Sequence, residues 1–492
     1  MSVFRLANFV DATGALSISG DHQTELSGLC TDSRSLKPGE LFVALDGPNF
    51  LGNNYARAAV KAGAGAVVLK ADAKVDPEEL QALIDGDDAL RTQCPIVTHP
   101  NPRRALGDFG GWYRSTLAAK VIGITGSCGK TTTKSILVKL LESSMRTVGS
   151  PRSYNNDIGV PLTLALANED TEALVVEMGT NSPGEIAGLC RIARPDIGLI
   201  TNIGASHLEG LGSLEGVAHE KADLARSLPR EGFLVVNADC RFSKTLRSET
   251  SAEVLSFSIN GEGDLNATDV FFHSGGTVCR INGHDVSFPL LGTHNVQNCL
   301  AALSVGIGLG LELEQMLPAL SSLKGGRQRM ERFDLEDLTV FDDSYNSNPE
   351  SARAAVRVLA GLHGFNRRVF VFGDMLELGQ HADEMHREVG REAMTAGIDC
   401  LIGVGALAEE TVLAARQLGL AKEFALHFPD TQSALENLGT HLQPFDAVLI
   451  KGSRGMALEQ LVQRLRKDHK VQSKVTLSTE SRDARAREGV RG

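Results

Sequence analysis

The sequence has little of what marks secreted, zinc-binding or nucleic-acid-binding proteins. No two of its eight cysteines form a C-x-x-C pair, which argues against a zinc knuckle and against a disulfide framework. Aromatic residues make up 5% of the chain, with a single tryptophan, and this is poor material for stacking nucleic-acid bases. The formal net charge of -12 argues against a broad polyanion-binding surface. We therefore expect no nucleic-acid partner.

The sequence also lacks a long apolar segment. No run approaches the roughly 18 apolar residues that a membrane-spanning helix needs. Charged and polar residues interrupt the stretch from Met1 to Leu16, which therefore does not resemble a signal peptide. Scattered thiols are typical of a reducing compartment. We expect a cytoplasmic protein that is not inserted into a membrane.

The length and the residue pattern predict an α/β protein with three domains. A chain of 492 residues corresponds to about three domains of ordinary size. Residues 1–100 predict a small α/β domain, and residues 101–327 predict a central domain with buried parallel strands and an antiparallel extension. Residues 328–470 alternate strands and helices again, which predicts a Rossmann-like domain. Residues 471–492 are polar, basic and without pattern, which predicts a disordered tail.

Individual elements of the two larger domains can be placed from the sequence. The segment Val254–Leu291 is rich in β-forming residues and has glycine turns, which predicts antiparallel hairpins. Asn348 before Pro349 predicts a helix start, with asparagine as the N-cap and proline in the first turn. Apolar runs predict strands at Lys120–Ile124, Ala173–Val176, Ile197–Thr201, Phe233–Val236, Thr339–Phe341, Val369–Phe372, Cys400–Val404 and Ala447–Ile450.

A glycine-rich turn after the first of these strands is the clearest sign of chemistry. Glycines let backbone N–H groups approach an anion, and the helix predicted at Thr133–Leu141 adds partial positive charge at its N-terminus. Lys130 can reach the β- and γ-phosphates of a nucleoside triphosphate, and the Thr131 hydroxyl can bind magnesium. The loop departs from a strict Walker A motif, which needs glycine where Ile124 stands. The predicted nucleotide-binding residues are Gly126, Ser127, Cys128, Gly129, Lys130, Thr131 and Thr132.

Polar residues beyond the loop are candidates for a metal centre. Glu177 ends the strand Ala173–Val176, where the ligand crevice of an open α/β sheet lies. Magnesium prefers such a carboxylate, although an N-cap or a surface acid fits the same position. His207 follows the next strand and is either a metal ligand or a hydrogen-bonded crevice histidine. Lys221 lies in a predicted helix, where a lysine is usually solvated or salt-bridged.

Together these segments resemble those of the Mur ligases, over nearly the whole chain except the tail. Two departures stand out. The family's Asp-Gly-His pattern is missing near Leu51–Tyr55, and Cys128 stands where asparagine is frequent, so that a thiol beside the phosphates could make activity sensitive to oxidation. The blocks that carry the resemblance are Thr31–Ala44, Thr125–Thr132, Tyr154–Thr163, Glu177–Gly179, Asn202–Glu209, Gly292–Asn298, Gly326–Glu331, Asp342–Pro349 and Lys451–Arg454.

The resemblance implies roles for residues at the nucleotide. The lysine at the position of Lys221 is carbamylated in the family, and its carbamate helps to hold magnesium, with two ions expected. The implied metal ligands are Thr131, Glu177, His207 and carbamylated Lys221, and the implied catalytic residues are Lys130, Glu177, His207 and Lys221. Further implied ATP contacts are Asn295, Asn298, Arg329 in preference to Arg327, Asp343 and Asn346.

The resemblance also implies substrates. The first domain is expected to bind a UDP-sugar, the third domain an incoming dipeptide, and the chain to act as a monomer. The implied activity is an ATP-dependent ligation of D-Ala-D-Ala to a UDP-N-acetylmuramoyl-tripeptide through an acyl phosphate, for peptidoglycan synthesis. The implied substrate contacts are Ser33 and Arg34 for the UDP-sugar, Asn156, and Lys451, Ser453 and Arg454 in the dipeptide cleft.

Three alternatives stay open at this point. A Mur ligase that adds the third residue would carry an Asp-Asn-Pro-Arg block, which the sequence does not contain. A folylpolyglutamate synthase normally lacks a first domain like residues 1–100. A Mur-like subunit that binds nucleotide without catalysis would bind ATP but release no phosphate in response to the dipeptide.

Overall fold

The computed structural model describes residues 3–71, 78, 81–82, 94–273 and 275–469. These residues form two compact units, the first within 1–325 together with Glu377–Gln380, and the second within 326–376 and 381–492. Both units combine parallel strands with helices, which confirms the predicted α/β class. The domain boundaries predicted at 100 and 327 stay predictions, and the predicted tail at 471–492 lies outside the described residues.

The first unit begins with a small mixed sheet. The elements of this region are β1 (Phe4–Arg5), α1 (Leu6–Thr13), β2 (Leu16–Ser19), β3 (Glu25–Leu26), β4 (Leu29–Cys30), β5 (Leu41–Val43), α2 (Ala56–Lys61), β6 (Ala66–Lys70) and β7 (Ile96–His99). Strands β1 and β3 pair with each other in a separate two-stranded sheet. The mixed sheet has the order β2-β7-β6-β5-β4 and is parallel from β4 to β7, whereas β2 pairs antiparallel with β7. The carboxyl ends of β4 to β7 therefore lie along one edge.

Helix α3 (Pro102–Thr116) connects this sheet to the next one. The helix starts where the Asn101 side chain accepts a hydrogen bond from the Arg104 N–H, with proline in the first turn. Its buried Phe109 packs against Phe4, with ring centroids 4.7 Å apart. Burial of these rings attaches β1 to α3, because hydrophobic burial is the main attraction between packed elements.

The centre of the first unit is a nine-stranded sheet with the order β16-β15-β14-β13-β12-β11-β8-β10-β9. Strands β8 to β13 are β8 (Lys120–Thr125), β9 (Thr147–Gly149), β10 (Ala173–Glu177), β11 (Ile197–Ile200), β12 (Phe233–Asn237) and β13 (Glu253–Ser258). The helices between them are α4 (Lys130–Leu141), α5 (Gly159–Leu164), α6 (Glu185–Ala193), α7 (Leu208–Leu211), α8 (Leu214–Arg226) and α9 (Ser243–Ser248). The four apolar runs predicted as strands in this part of the chain are confirmed.

The prediction of antiparallel hairpins over Val254–Leu291 is partly wrong. The unit ends with β14 (Leu265–His273), β15 (Gly276–Ile281), β16 (His284–Phe288), α10 (Thr293–Gly308) and α11 (Leu313–Leu320). Strands β14 to β16 are antiparallel as predicted, but β13 pairs parallel with β12 and with β14. The pattern of β-forming residues does not encode direction. Here β13 extends the parallel sheet, because its link to β12 passes through α9 as a crossover.

The sheet is buried on both faces, as its apolar strands require. In β8, Val121 belongs to the core that includes Phe109 of α3, whereas Ile122 and Ile124 belong to the core formed with α4 and α10. This alternation follows from the two-residue period of a strand. It fixes the carboxyl end of β8, and therefore the turn that follows it, between two packed layers.

The second unit is a six-stranded sheet with the order β17-β18-β22-β19-β20-β21. Its elements are β17 (Glu331–Asp334), β18 (Leu338–Asp343), α12 (Pro349–Ala360), β19 (Arg367–Gly373), α13 (Ala382–Thr395), β20 (Cys400–Val404), α14 (Ala408–Gln417), β21 (Ala425–Phe428), α15 (Thr431–Asn437), β22 (Asp446–Lys451) and α16 (Glu459–Asp468). All strands are parallel except β17. The predicted cap is confirmed, because Asn348 Oδ1 accepts a 2.9 Å hydrogen bond from the Ser351 N–H.

No helix within the described residues is long and apolar enough to span a membrane. This result agrees with the absence of a long apolar run in the sequence.

Two adjacent glycines of α3 provide a test of its packing. A Cβ on Gly110 would lie 2.8 Å from Cβ of Pro161, whereas the nearest atoms to a Cβ on Gly111 are 3.9 Å away. We expect Gly110→Ala to lower the free energy of unfolding by about 1–3 kcal/mol through overpacking. Gly111→Ala, the matched control, should raise it by roughly 0.5–1 kcal/mol because alanine favours the helix. Urea unfolding followed by the fluorescence of Trp112 measures both, and equal effects would contradict the packing described.

Candidate active site

The turn between β8 and α4 leaves no room for side chains at two of its glycines. Gly126 has a φ of 145°, and a Cβ there would lie 1.9 Å from Oγ1 of Thr201. Gly129 has a φ of 83°, and its Cβ would lie 2.3 Å from Oδ1 of Asn298. Both positions need glycine for backbone conformation and for space. The result is a cradle of bare backbone at the start of a helix, the arrangement that binds phosphate.

Helix α4 begins at Lys130, three residues earlier than the predicted start at Thr133. The Thr133 N–H donates to the Gly129 carbonyl at 2.8 Å, which closes the first turn. The prediction was wrong because a glycine, not a polar side chain, occupies the N-cap. Lys130 and Thr131 therefore lie in the first helical turn, where the positive end of the helix dipole is strongest.

Neighbouring segments hold the loop in place. The Cys128 N–H donates to Oδ1 of Asn202 at 2.8 Å, and its carbonyl accepts a 2.5 Å hydrogen bond from the Thr201 hydroxyl. The buried Ser127 hydroxyl donates to the Gly204 carbonyl at 2.9 Å. Ser127 and Cys128 of the loop are therefore bonded to the end of β11 and to the segment that follows it. Lys130 Nζ donates to the Gly126 carbonyl at 2.6 Å, which places the ammonium across the loop.

Glu177 lies at the carboxyl end of β10 and is 1% exposed. Its Oε1 accepts hydrogen bonds from the Thr131 hydroxyl at 3.1 Å and from Nδ2 of Asn155 at 3.0 Å. Its Oε2 lies 3.0 Å from Nζ of Lys134. The alternatives of an N-cap or a surface acid are therefore wrong. The structure joins Thr131 and Glu177, two of the four predicted metal ligands, beside the phosphate cradle.

Lys134 and Asn155 are site residues that sequence reasoning missed. Lys134 is 4% exposed, which for a lysine requires a charged partner or a neutral amine. Its position was available from the sequence, because it lies four residues after Lys130 and so on the same helix face. Asn155 lies in the block Tyr154–Thr163, which carries the family resemblance. Its contact with Glu177 joins residues that are 22 positions apart, and no local pattern predicts that contact.

Lys221 of α8 is 1% exposed, so the alternative of a solvated lysine is wrong. Burial lowers its pKa to about 7, and the charge of Lys130 acts in the same direction. Glu220 and Cys128 oppose this shift. A substantial fraction of the amine is therefore neutral near pH 7, and a neutral amine is the form that adds CO₂.

His207 has a hydrogen-bond partner in this structure, and its role as a metal ligand stays a prediction. Its backbone is left-handed, with a φ of 53°, directly before α7. Its Nδ1 lies 2.5 Å from Oε2 of Glu377, which belongs to the same compact unit. Burial lowers the pKa of His207, although Glu377 opposes this. Glu377 lies 170 residues away in sequence, and sequence reasoning gave no sign of it.

The donor set suits magnesium and phosphate oxygens. Across the described ranges, no three His, Cys, Asp or Glu side chains converge as a complete metal site. Thr131 and Glu177 supply a hydroxyl and a carboxylate, the hard oxygen ligands that magnesium combines with phosphate oxygens and water. The residues present therefore fit magnesium carried in with a nucleotide better than an ion held by protein alone.

Other predicted contacts of the first unit have structural partners. Asn298 accepts a 3.1 Å hydrogen bond from the Thr133 hydroxyl and donates to Oδ1 of Asn295 at 3.0 Å, so the two asparagines share one face of α10 as predicted. Asn156 Oδ1 accepts from the Gly159 N–H at 2.9 Å at the start of α5. Arg34 is exposed after β4 and is paired with Asp32 at 2.7 Å, next to Ser33. Their contacts with ligands stay predictions.

In the second unit, residues predicted for two different ligands form one cluster. Lys451 is 2% exposed, and its Nζ lies 2.7 Å from Oδ2 of Asp343. The same ammonium donates to the Asn346 carbonyl at 3.0 Å. The Arg329 guanidinium lies 4.2 Å from the centre of the Tyr345 ring. Tyr345 lies in the block Asp342–Pro349, but the sequence analysis assigned it no role.

The predicted dipeptide residues flank this cluster. The Arg454 guanidinium lies 5.9 Å from the same Tyr345 ring, and the Arg454 N–H donates to Oδ1 of Asn346 at 3.4 Å. The Ser453 hydroxyl accepts a 2.9 Å hydrogen bond from the Leu376 N–H. The carboxyl ends of β18 and β22 therefore gather the nucleotide and dipeptide candidates of this unit at one edge.

Comparison with known proteins gives consistent matches along the chain. The Mur ligase family catalytic domain matches residues 25–110, the Mur ligase middle domain 124–306, and the Mur ligase glutamate ligase domain 328–454. A UDP-N-acetylmuramoyl-tripeptide–D-alanyl-D-alanine ligase of Bacillus subtilis is 34% identical over 455 residues, which cover 92% of this chain and 96% of the relative.

Two solved structures are similar over nearly their whole length. MurF from Acinetobacter baumannii superposes with a TM-score of 0.83 at 29% identity, covering 95% of this chain and 99% of that one. MurF ligase from Thermotoga maritima in complex with ADP superposes with a TM-score of 0.74 at 26% identity, covering 90% of this chain and 97% of that one.

The buried pair of Lys134 and Glu177 provides a test of the site. We expect Lys134→Met to lower the free energy of unfolding by about 3–5 kcal/mol, because it leaves a buried carboxylate without its cation. The double variant Lys134→Met/Glu177→Gln should recover most of that loss, since no buried charge remains. Urea unfolding measures both. Equal destabilisation of the single and double variants would show that the ion pair does not account for the effect.

Proposed function

The chain belongs to the Mur ligase family, and from this premise we propose that it joins D-alanyl-D-alanine to a UDP-N-acetylmuramoyl-tripeptide with ATP, in peptidoglycan precursor synthesis. The observation that carries the proposal is the contact between Thr131 and Glu177 beside the cradle of Gly126 and Gly129. The choice of substrates is supported by the Bacillus subtilis relative, which aligns over nearly the whole chain and is named for that reaction.

The chemistry must overcome the weakness of a carboxylate as an electrophile. A terminal carboxylate oxygen of the tripeptide attacks the γ-phosphorus of ATP, the bond from that phosphorus to the bridging oxygen breaks, and ADP leaves. The dipeptide amine then attacks the acyl carbon, the bond from carbon to the phosphate oxygen breaks, and the amine loses a proton. Positioning and charge stabilisation are the main contributions a protein makes to such phosphoryl transfer.

The first unit supplies the charge stabilisation. The bare backbone at Gly126 and Gly129 and the start of α4 bind the phosphates, and Lys130 swings from the Gly126 carbonyl to the transferring group. Thr131 and Glu177 would hold magnesium, which supplies neutralisation of the phosphoryl oxygens when it is bound. Asn295 and Asn298 lie behind the loop and serve the adenine side.

Lys221 contributes as a carbamate in this proposal. Its amine is buried, and burial with the nearby Lys130 lowers its pKa to about 7, so the neutral form needed for reaction with CO₂ is accessible. Carbamylation replaces a cation by an oxygen-bearing anion, which suits a second magnesium ion together with His207. Glu377 orients the His207 ring by its contact with Nδ1, which leaves Nε2 for the metal.

The second unit supplies contacts for the nucleotide and for the dipeptide. Asp343 and Asn346 are assigned to the nucleotide together with Arg329, whose guanidinium is stacked on Tyr345. Lys451 serves by holding Asp343, because its ammonium is already buried in that pair. Arg454 has a side chain that is 58% exposed and suits the carboxylate of the dipeptide, with Ser453 beside it.

The alternatives fit less well. A third-residue-adding Mur ligase and a folylpolyglutamate synthase have less support, because the Bacillus subtilis relative that aligns over 92% of this chain carries the D-alanyl-D-alanine name. A subunit that only binds nucleotide does not need a buried lysine near the phosphate loop. Lys221 is 1% exposed and is close enough to Lys130 for their charges to interact. All eight cysteines are free thiols, which supports a reducing, cytoplasmic location.

Phosphate release tests the proposed reaction. The wild-type protein with ATP, magnesium and UDP-N-acetylmuramoyl-tripeptide should release phosphate only when D-Ala-D-Ala is present. Lys130→Ala should lower turnover by about 10²-fold or more, because it removes charge stabilisation in the transition state. Lys139→Ala, at an exposed position in the last turn of the same helix, is the control and should keep wild-type turnover. Nucleotide binding without dipeptide-dependent release would refute the proposal.

The carbamate has a test that does not depend on turnover. With ¹³C-labelled bicarbonate, the wild-type protein should show a carbamate resonance that grows as the pH rises through about 7, since the neutral amine becomes more abundant. Lys221→Ala should lack this resonance and lose activity that small carboxylates partly restore, whereas the exposed Lys244→Ala should keep both. Full activity of Lys221→Ala without added carboxylate would exclude the role.

A further inference from the structure

The structure points to a base-binding platform in the first sheet, and this inference rests on the proposed function. We propose that the exposed ring pair of Phe50 and Tyr55 stacks against the uracil base of the UDP-linked substrate. Neither residue was among the contacts that the sequence predicted for this substrate. The inference assigns the base of the ligand to the two rings and its phosphates to Arg34.

The location follows from the sheet order. Strands β4, β5 and β6 are adjacent and parallel, so their carboxyl ends lie along one edge. Ser33 and Arg34 follow β4, the segment from Asp46 to Tyr55 follows β5, and Lys70 ends β6. In open α/β sheets this edge is where ligands bind. The ring pair therefore lies at the same edge as the residues already predicted to contact the UDP-sugar.

The two rings form an exposed aromatic surface. Their centroids are 5.7 Å apart and their planes are perpendicular, so the edge of one ring meets the face of the other. Phe50 is 48% exposed and Tyr55 is 43% exposed. Each ring therefore keeps about half of its surface exposed, and an exposed aromatic side chain can stack with a planar base whatever the identity of that base.

The loop that carries the rings is held in a fixed conformation. The Gly47 N–H donates to the Phe50 carbonyl at 3.0 Å, and a Cβ on Gly47 would lie 2.3 Å from Cε1 of the Phe50 ring. The ring therefore lies directly over a glycine. Asp46 accepts from the Gly52 N–H at 2.9 Å and pairs with Lys70 at 2.7 Å. A preformed platform loses little entropy when it binds a ligand.

Charge at this edge suits a diphosphate attached to the base. Arg34 donates to Asp32 through Nε at 2.9 Å and through Nη2 at 2.7 Å, and this contact orients its guanidinium. The side chain is nevertheless 87% exposed, so it can donate further to a phosphate. Asp32 raises the pKa of Arg34, and Tyr55 adds to this effect through its proximity. A cation beside the rings therefore fits a nucleoside diphosphate, with the base on the rings and the phosphates on Arg34.

The test is the binding of UDP measured by calorimetry with saturating ADP, which keeps the phosphate loop occupied. We expect Tyr55→Ala and Phe50→Ala each to weaken UDP binding by about 10-fold, the usual effect of losing one stacking ring. Tyr55→Phe should stay within about twofold of the wild type, because it keeps the ring. Leu51→Ala, which removes a 61% exposed apolar side chain from the same loop, is the matched control and should bind normally.

Two further measurements separate stacking from phosphate contact. Pyrophosphate binding should be unchanged by Tyr55→Ala and weakened by Arg34→Ala, whereas UDP binding should be weakened by both. The uracil H5 and H6 resonances should move upfield on binding to the wild type and less so with Tyr55→Ala. The proposal would be overturned if the wild type did not bind UDP, or if both ring variants bound UDP as the wild type does.

The result is distinguishable from failure of the proposed function. Ring-dependent UDP binding without dipeptide-dependent phosphate release would uphold the platform and refute the ligase reaction. In an active enzyme, Tyr55→Ala should raise KM for the UDP-linked substrate and leave kcat and KM for ATP near wild type. A fall in kcat alone would contradict a role in binding the base.

Discussion

The buried carboxylate of Glu177 is the contact on which the nucleotide end of the molecule depends. A buried charge is costly unless cations and hydrogen-bond donors surround it, and here Lys134, Thr131 and Asn155 supply them. These partners come from α4 and from the segment before α5. The Glu177 carboxylate therefore connects the end of β10 to the start of α4 and to the segment that contains Asn155. The same contact holds together the Thr131 hydroxyl and the Glu177 carboxylate, the two groups proposed to bind magnesium.

The second constraint is the repulsion between two lysines near the phosphate loop. Lys130 and Lys221 lie close enough for the charge of one to disfavour the charge of the other, and burial adds to the effect on Lys221. A triphosphate relieves the repulsion at Lys130, and loss of the proton relieves it at Lys221. The repulsion between the two lysines therefore favours binding of an anion beside the loop, as the proposed reaction requires.

Sequence reasoning succeeded where the chemistry is encoded locally. The strand, the glycine turn and the lysine that follows it are contiguous, and the capped helix at Asn348 is set by neighbours in sequence. It failed where partners meet only through the fold. The contact of His207 with Glu377 and the parallel pairing of β13 depend on distant segments, and no local pattern specifies them. The start of α4 was missed because a glycine cap carries no polar signal.

The crowding around Gly126 and Gly129 limits how this enzyme can change under selection. A side chain at either position would collide with Thr201 or with Asn298, and both of those residues hold the loop or its helix in place. A compound that contacts the backbone at these two glycines would meet positions where a single substitution leaves no room for a side chain. Escape variants would have to arise at other positions, where side chains have room to vary.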